Sequence, residues 1–165
     1  MALPQILGLL SLILSGAIFG FFYAWVCSTM WGLDTANPEI AIPAMQAMNA
    51  SVRNAVFAPA FFATPFVMLI TAYAAHRSGA GTAMTAFAAG GLIYLVGGVI
   101  LTLAVNVPMN EALAQVTPDE ISANGAAIWA EYSPRWQRWN VIRTIASGVA
   151  LLLAGIGLLT LPRGA

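Results

Sequence analysis

The sequence predicts an all-α membrane protein. Its four transmembrane helices form an antiparallel bundle, with one extramembrane amphipathic helix between helices three and four. Apolar residues make up 60% of the 165 residues and charged residues only 7%, whereas a soluble domain carries about 25% charged residues. Four segments also reach the length of about 20 mostly apolar residues that a membrane-spanning helix needs. The composition excludes a soluble enzyme, and a formal net charge of zero excludes a nucleic-acid-binding protein, which needs a basic patch.

The predicted spans belong to a single integral membrane domain covering residues 1–165. Pro4 suits the first turn of the first helix, and Pro162 follows the last helix, which it cannot continue. Thr117 is a favourable cap for the amphipathic helix, and Ser133-Pro134 is expected to end it. The expected bounds are about 4–31, 52–75, 82–105 and 139–161 for the spans and about 118–132 for the amphipathic helix.

The connections between the spans predict the topology. A very short link makes the second and third spans an antiparallel pair, so both long connections lie on one side of the membrane and both termini on the other. Counting basic residues near the span ends favours cytoplasmic long connections, because that side carries Arg53, Arg135, Arg138 and Arg143. We nevertheless favour cytoplasmic termini in a bacterial inner membrane, because the first span has only a short, uncharged lead.

Glycines recur along three of the predicted spans. Small residues let helices approach closely in lipid, where no hydrophobic drive brings them together. We favour close packing inside the bundle, and a homodimer seam along one stripe stays open as the second interpretation. The glycines are Gly8, Gly16 and Gly20 in the first span, Gly90, Gly91, Gly97 and Gly98 in the third, and Gly148 and Gly155 in the fourth.

Polar residues concentrate at the end of the bundle that faces the long connections. Polar side chains inside a membrane face the bundle interior or a cavity. In the fourth span Trp136, Asn140, Arg143 and Ser147 follow the spacing of a single helix face. This convergence predicts a polar pocket with aromatic walls. Side chains from other positions at the same level are Trp25, Asn49, Asn54, Asn106, Asn110 and Trp139.

Each feature of this cluster also has a structural interpretation. Trp136 and Trp139 fit an aromatic belt at the membrane interface. Arg143 is a fixed cation that a carboxylate, from Glu111 or Glu131, would neutralise. A non-catalytic binding or accessory protein therefore predicts that Arg143 is fully paired with one of these acids and that no cavity exists.

The single histidine and the single cysteine offer little chemistry. His76 lies in the short turn on the opposite side and is expected to be solvated, and Cys27 is expected to pack in the core. Asparagine, glutamate and water suit hard cations, so a metal enzyme is a third, weaker hypothesis. No recognisable ligand spacing is present, and we expect neither a metal nor another cofactor.

Four sequence elements occur together in this chain: Gly16–Gly20, Met45–Asn49 with Arg53-Asn54, Asn106–Asn110, and Trp136-x-x-Trp139-Asn140-x-x-Arg143-Thr144. In this combination they resemble the DUF1772 family, also called anthrone oxygenase-like membrane proteins. The resemblance covers almost the whole chain in the family's order. Its most specific parts are the asparagine–proline–asparagine and Trp-Asn-x-x-Arg elements.

The resemblance implies a four-helix membrane protein that uses O₂ to oxidise a planar, lipophilic phenol or ketone, as in anthrone to anthraquinone, without a cofactor. Its partners would be the lipid bilayer and a hydrophobic small molecule. Arg143 would stabilise the developing oxyanion, and Glu111 or Glu131 would act as general base. Further donors to the oxyanion would be Asn106, Asn110 and Asn140, and the substrate would bind against Trp25, Trp136, Trp139, Asn49 and Asn54.

Overall fold

A computed structural model describes residues 2–162, and this part of the chain is helical and contains no β-strand. Four helices are long and apolar enough to cross a membrane, so the predicted all-α bundle of four spans is confirmed. We label the helices α1 (Leu3–Thr35), α2 (Pro38–Ser51), α3 (Phe57–Arg77), α4 (Gly81–Ala114) and α5 (Pro118–Thr160); all but α2 are spans. Short π-helical stretches interrupt α1 at Trp25–Thr29 and α4 at Leu95–Ile100 and Thr102–Asn106.

Asparagine side chains bond to backbone N–H groups where α2 and α3 begin. The Asn37 side chain accepts a hydrogen bond from the backbone N–H of Glu39 at 3.0 Å, at the start of α2. The Asn54 side chain accepts from the N–H groups of Val56 and Phe57 at 2.8 and 2.9 Å, at the start of α3. These bonds satisfy amide groups that a helix leaves unpaired at its N-terminus.

The segment between the first two spans differs from the expectation. The sequence predicts a long connection here, but the segment forms α2, and the second span begins at Phe57 rather than near residue 52. Asn49 therefore belongs to α2. The reason is local, because Asn37-Pro38-Glu39 combines a cap, a first-turn proline and an early acid.

The termini meet at the opposite end of the bundle. The Gln5 side chain donates to the carbonyl oxygen of Pro162 at 3.0 Å. At the same end α3 turns into α4 at Gly79, whose φ of 74° is left-handed. The N–H of Ala80 then donates to the carbonyl of Ala75 at 2.9 Å, which closes the helix end as a glycine at this position usually allows. Both long connections therefore lie at the other end, as predicted.

The amphipathic helix and the fourth span are one continuous helix, so the prediction that Ser133-Pro134 ends the amphipathic helix is wrong. The carboxylate of Asp34 holds this region in helical form. It accepts three hydrogen bonds, at 2.6–3.0 Å, from side chains spaced four residues apart on α5, namely Trp129, Ser133 and Gln137. Only an unbroken helix places all three on one face, and these contacts outweigh the helix-breaking tendency of Pro134.

Half of α5 extends beyond the membrane. Its 43 residues span about 64 Å at 1.5 Å per residue, whereas the hydrocarbon core is about 30 Å thick. At its extramembrane start, Thr117 and Glu120 form a capping box. Hydrogen bonds from Thr117 lower the pKa of the Glu120 carboxyl, because they stabilise its charged form.

The four spans form a square, antiparallel bundle in which α1 and α4 each pack against α3 and α5. A Cβ at Gly91 would lie 3.1 Å from the Pro65 carbonyl oxygen of α3, and one at Gly97 would lie 2.6 Å from the Cβ of Ala146 on α5. A Cβ at Gly20, in contrast, would have nothing within 4 Å. The glycines of α4 therefore serve packing inside the bundle, and the homodimer seam stays a prediction.

The buried apolar residues form two separate clusters. The bundle core lies among the four spans and includes Ile18, Phe22, Phe61, Phe87 and Tyr94. The cap core lies at the end with the long connections, where α2 packs against the extramembrane half of α5. It includes Met30, Ile42, Met45, Leu113, Trp129 and Trp136.

His76 and Cys27 are both exposed. Exposure of His76 in its turn agrees with the prediction. The expectation that Cys27 packs in the core is wrong, because Cys27 lies on the outward face of the π-helical turn in α1. A thiol is apolar enough to face lipid there.

Candidate functional site

A cavity of about 560 Å³ lies where the bundle core meets the cap core. This volume falls within the range of about 300–1,000 Å³ that is usual for small-molecule sites. Phe22 and Phe61 contribute from the bundle core, and Trp136 contributes from the cap core. Of the ten residues predicted for the site, seven line this cavity: Trp25, Asn49, Asn54, Asn110, Glu111, Trp136 and Arg143.

Arg143 on α5 is the charged group in the wall of the cavity that is most deeply buried, with 5% of its surface exposed. Its Nη2 donates to Oδ1 of Asn140 at 2.8 Å, and its Nη1 donates to Oγ1 of Thr102 at 3.3 Å. Its Nε has no hydrogen-bond partner. The guanidinium carbon lies 4.7 Å from the centre of the Phe22 ring and 5.1 Å from that of Trp136, which allows cation–π attraction.

No acidic side chain neutralises Arg143 in residues 2–162. The salt bridge found in this range joins Arg53 to Glu111 at 3.2 Å, and both side chains are 58% exposed. Glu131 is exposed and lies beside a separate groove with Tyr132 and Arg135. The two structural expectations of the accessory-protein hypothesis, a paired Arg143 and the absence of a cavity, are therefore wrong.

Asn110 is held in one orientation by two donors. Its Oδ1 accepts from Nε1 of Trp136 at 2.9 Å and from the hydroxyl of Tyr132 at 2.8 Å. An indole N–H can only donate, so the oxygen of Asn110 faces Trp136 and its Nδ2 points elsewhere. The Tyr132 hydroxyl in turn accepts from Nδ2 of Asn49 at 3.4 Å. Asn110 lines the cavity, and its side-chain hydrogen bonds in residues 2–162 use only Oδ1.

The other asparagines differ in how their hydrogen bonds are used. Asn140 does not line the cavity; it donates to the carbonyl of Phe22 at 3.1 Å and accepts from Arg143, so it positions the guanidinium. Asn106 is fully buried and does not line the cavity, and neither of its amide atoms has a hydrogen-bond partner. Both amide atoms of Asn54 bond to backbone groups, although the residue lines the cavity.

Aromatic rings form most of the cavity's apolar wall. Trp25 and Trp136 lie 5.1 Å apart by ring centres, and Phe21 and Phe57 lie 4.7 Å apart. Trp139, which was expected to line the site, is only half-buried and is outside the cavity.

Sequence reasoning missed several residues of the site. Thr102 contacts Arg143, and Tyr132 contacts Asn110. Phe21 and Phe57 line the cavity. Tyr132, Trp136 and Asn140 are spaced four residues apart, but this signal is visible only if α5 continues through Pro134. The π-helical turns at Trp25–Thr29 and Thr102–Asn106 also lie at the cavity, and such turns often occur at functional sites.

Metal-binding side chains do not converge at this site. Across the described range 2–162, no three His, Cys, Asp or Glu side chains are close enough to hold a metal ion. The polar side chains that line the cavity are two arginines, three asparagines, two tryptophans, Thr102 and one carboxylate, that of Glu111.

The fold and the site define the class of this protein as a four-span integral membrane protein with an arginine-lined, aromatic-walled cavity at one end of the bundle. The sequence model of the anthrone oxygenase family matches residues 47–153, which is more than half of the chain. The chain belongs to this family. No curated protein sequence and no solved structure has significant similarity to it.

Proposed function

We propose that this protein is an O₂-dependent oxidase of planar, lipophilic phenols or ketones, of the anthrone oxygenase type, and that the cavity is its reaction site. The proposal is supported by the family to which the chain belongs. It is also supported by a cavity whose aromatic walls suit a flat, apolar molecule.

The observation that carries the proposal is the unneutralised charge of Arg143. A buried cation is costly unless an anion or hydrogen bonds compensate for it, and this one has two neutral partners and a free Nε. An oxyanion in the cavity would supply the missing charge. The enolate or phenolate of a lipophilic ketone or phenol is an anion of this kind, and the family's activity passes through such a species.

The chemistry requires a base, a site for the anion and O₂. In an anthrone, the CH₂ carbon opposite the ring carbonyl loses a proton to the base, and the negative charge moves to the carbonyl oxygen beside Arg143. The carbanion gives one electron to O₂, the two radicals combine, and a C–O bond forms a hydroperoxide. Loss of the second proton and cleavage of the O–O bond leave a second carbonyl. One O₂ is consumed, and one of its oxygen atoms enters the quinone while the other leaves as water.

Glu111 is our candidate for the base. Its Oε1 accepts from Arg53, and no residue in the described range donates to its second oxygen. Its exposure of 58% lets a proton pass from the carboxyl to water. Asn110, through its amide nitrogen, would be a second donor to the substrate oxygen, while Asn140 would act only by holding Arg143.

The test compares Arg143→Gln with Arg138→Gln in purified protein supplied with an anthrone under air. Arg138 is a matched control because it lies on the same helix, is exposed and does not line the cavity. We expect O₂ uptake and quinone absorbance above the rate without protein, a loss of at least tenfold for Arg143→Gln, and no loss for Arg138→Gln. Wild-type protein that binds the anthrone without oxidising it would instead identify a binding protein.

A further inference from the structure

A second groove adjoins the cavity on the outside of the bundle. It has a volume of about 440 Å³ and shares six lining residues with the cavity. We call it the side groove. Its own lining residues are Ala17 and Ile18 on α1, Ser51 at the end of α2, and Val56 and Ala60 at the start of α3. The side groove therefore lies between the first two spans, next to the site.

The walls of the side groove are mostly apolar, with Ser51 and Asn54 as polar lining residues, and they are open to the surroundings. Val56 is 87% exposed, and Ala17 is also exposed on α1. In a bundle whose outer face meets lipid, an apolar opening between two spans leads into the bilayer and not into water.

Two phenylalanine rings lie where the side groove meets the cavity. Phe21 and Phe57 line both spaces, and their ring centres lie 4.7 Å apart at an angle of 50°. Both rings are only half-buried. Neither side chain has a polar atom, so only apolar contacts hold the two rings together.

Beyond this pair, aromatic rings continue toward the buried cation. Phe21 lies 6.3 Å from Trp25, and Trp25 lies 5.1 Å from Trp136 by ring centres. The guanidinium of Arg143 is 5.1 Å from the Trp136 ring. A flat molecule that passes the phenylalanine pair therefore has aromatic rings, those of Trp25 and Trp136, beside it on the way to Arg143.

The other edge of the cavity has the opposite character. There Arg53 and Glu111 form an exposed salt bridge at 3.2 Å. An apolar molecule gains nothing from contact with these charges, whereas water and protons pass such groups readily. The two openings differ in polarity: the side groove suits an apolar molecule, and the charged edge suits water and protons.

We propose that the side groove is the entry site for a planar, apolar ligand dissolved in the bilayer, and that Phe21 and Phe57 form the gate through which it reaches the cavity. This inference rests on the proposed function for the class of ligand. The charged edge with Arg53 and Glu111 serves water and proton exchange.

The experiment measures how fast unsubstituted anthraquinone enters and leaves the protein in lipid nanodiscs. Quenching of tryptophan fluorescence reports binding, because Trp25 and Trp136 lie in the cavity wall. We expect Phe57→Ala to raise both the association and the dissociation rate at least fivefold and Phe57→Trp to lower both at least threefold. Phe57→Leu repeats the first comparison with a smaller change of volume, in case alanine lowers the folded yield.

The matched controls are the same substitutions at Phe62, which lines the cavity but not the side groove, and Arg53→Gln at the charged edge. A residue that only lines the cavity changes the dissociation rate without changing the association rate. Association rates that are unaffected at Phe57, or that change with Arg53→Gln instead, overturn the gate. If Phe57 controls both rates but anthrone is not oxidised, the gate stands and the proposed activity falls. If anthraquinone does not bind, both fall.

Discussion

The Arg143→Met variant is expected to bind an anionic ligand much more weakly and yet to be about as stable as the wild-type protein. Methionine is flexible and apolar and fills irregular buried space well, but it has neither the charge nor the donors of arginine. Loss of affinity without loss of stability indicates a residue that serves a ligand. Loss of stability without loss of affinity indicates a residue that serves the fold.

The expected change in the free energy of unfolding follows from the contacts of Arg143. Removal of the guanidinium leaves Oδ1 of Asn140 without the donor it now has at 2.8 Å, which costs about 1–3 kcal/mol. Loss of the contacts with Phe22 and Trp136 costs about 0.5–2 kcal/mol each. Removal of the buried charge gains several kcal/mol, and the unpaired Nε disappears as well. The variant should therefore stay within about 2 kcal/mol of wild type.

The expected change in ligand affinity is large, whereas the expected change in the free energy of unfolding is small. A hydrogen bond to a charged group contributes about 1.5–3 kcal/mol, which corresponds to a loss of about 10- to 150-fold in affinity. We expect this loss for a hydroxyanthraquinone at a pH where its phenol is ionised, and a smaller loss for unsubstituted anthraquinone, which carries no charge.

The assay measures both quantities on the same purified samples, the dissociation constant by tryptophan quenching and the free energy of unfolding by denaturant titration. Arg138→Met, on the exposed part of the same helix, is the control and should change neither. A loss of about 3–5 kcal/mol in stability, as expected for a broken buried pair, with unchanged affinity for the phenolate would refute the reasoning and identify Arg143 as a structural tie.

Three further predictions concern other parts of the molecule. Asn110→Asp keeps an oxygen acceptor for Trp136 and Tyr132 but loses the amide N–H donor. The affinity for the same phenolate, measured by tryptophan quenching, should therefore fall at least tenfold. The control Asn37→Asp, at the helix cap of α2, should leave this affinity unchanged. Asp34→Ala, on α1, removes the acceptor of three hydrogen bonds from α5 and should lower the free energy of unfolding by about 1–3 kcal/mol. The control Glu131→Ala removes an exposed acid on α5 and should lower the free energy of unfolding by much less. A reporter enzyme that is active only outside the cytoplasm should stay inactive when fused to the C-terminus; activity there would instead support the orientation that arginine counting favours.

The fold could be predicted because its signals are local and strong. Four apolar segments give four spans, and the short turn around Gly79 gives the antiparallel arrangement of α3 and α4. The continuity of α5 could not be predicted, because Pro134 is a strong local signal for a break. It is overruled by a carboxylate 99 residues away from Ser133 in sequence, and no local pattern reveals such a contact.

The candidate site could be predicted in outline only. The i, i+4, i+7 spacing brings Trp136, Asn140 and Arg143 to one face of α5, but it does not show which of them lines a cavity. Asn140 positions Arg143, and Trp139 lies outside the cavity. Pairing of Arg53 with Glu111 depends on how α4 and the α2–α3 link approach each other, which spacing within one helix cannot give.

The place of Arg143 in the last span has a consequence for biogenesis. An arginine at the centre of an isolated membrane helix costs about 2.5–3.5 kcal/mol during insertion, and one nearer the helix end, as Arg143 is, costs less. Its partners Phe22 and Thr102 lie on α1 and α4, which precede α5 in the chain and therefore leave the ribosome first. The acceptor and the aromatic face are already in the bilayer when the arginine arrives. The order of synthesis thus spares the nascent chain from exposing this cation to lipid alone.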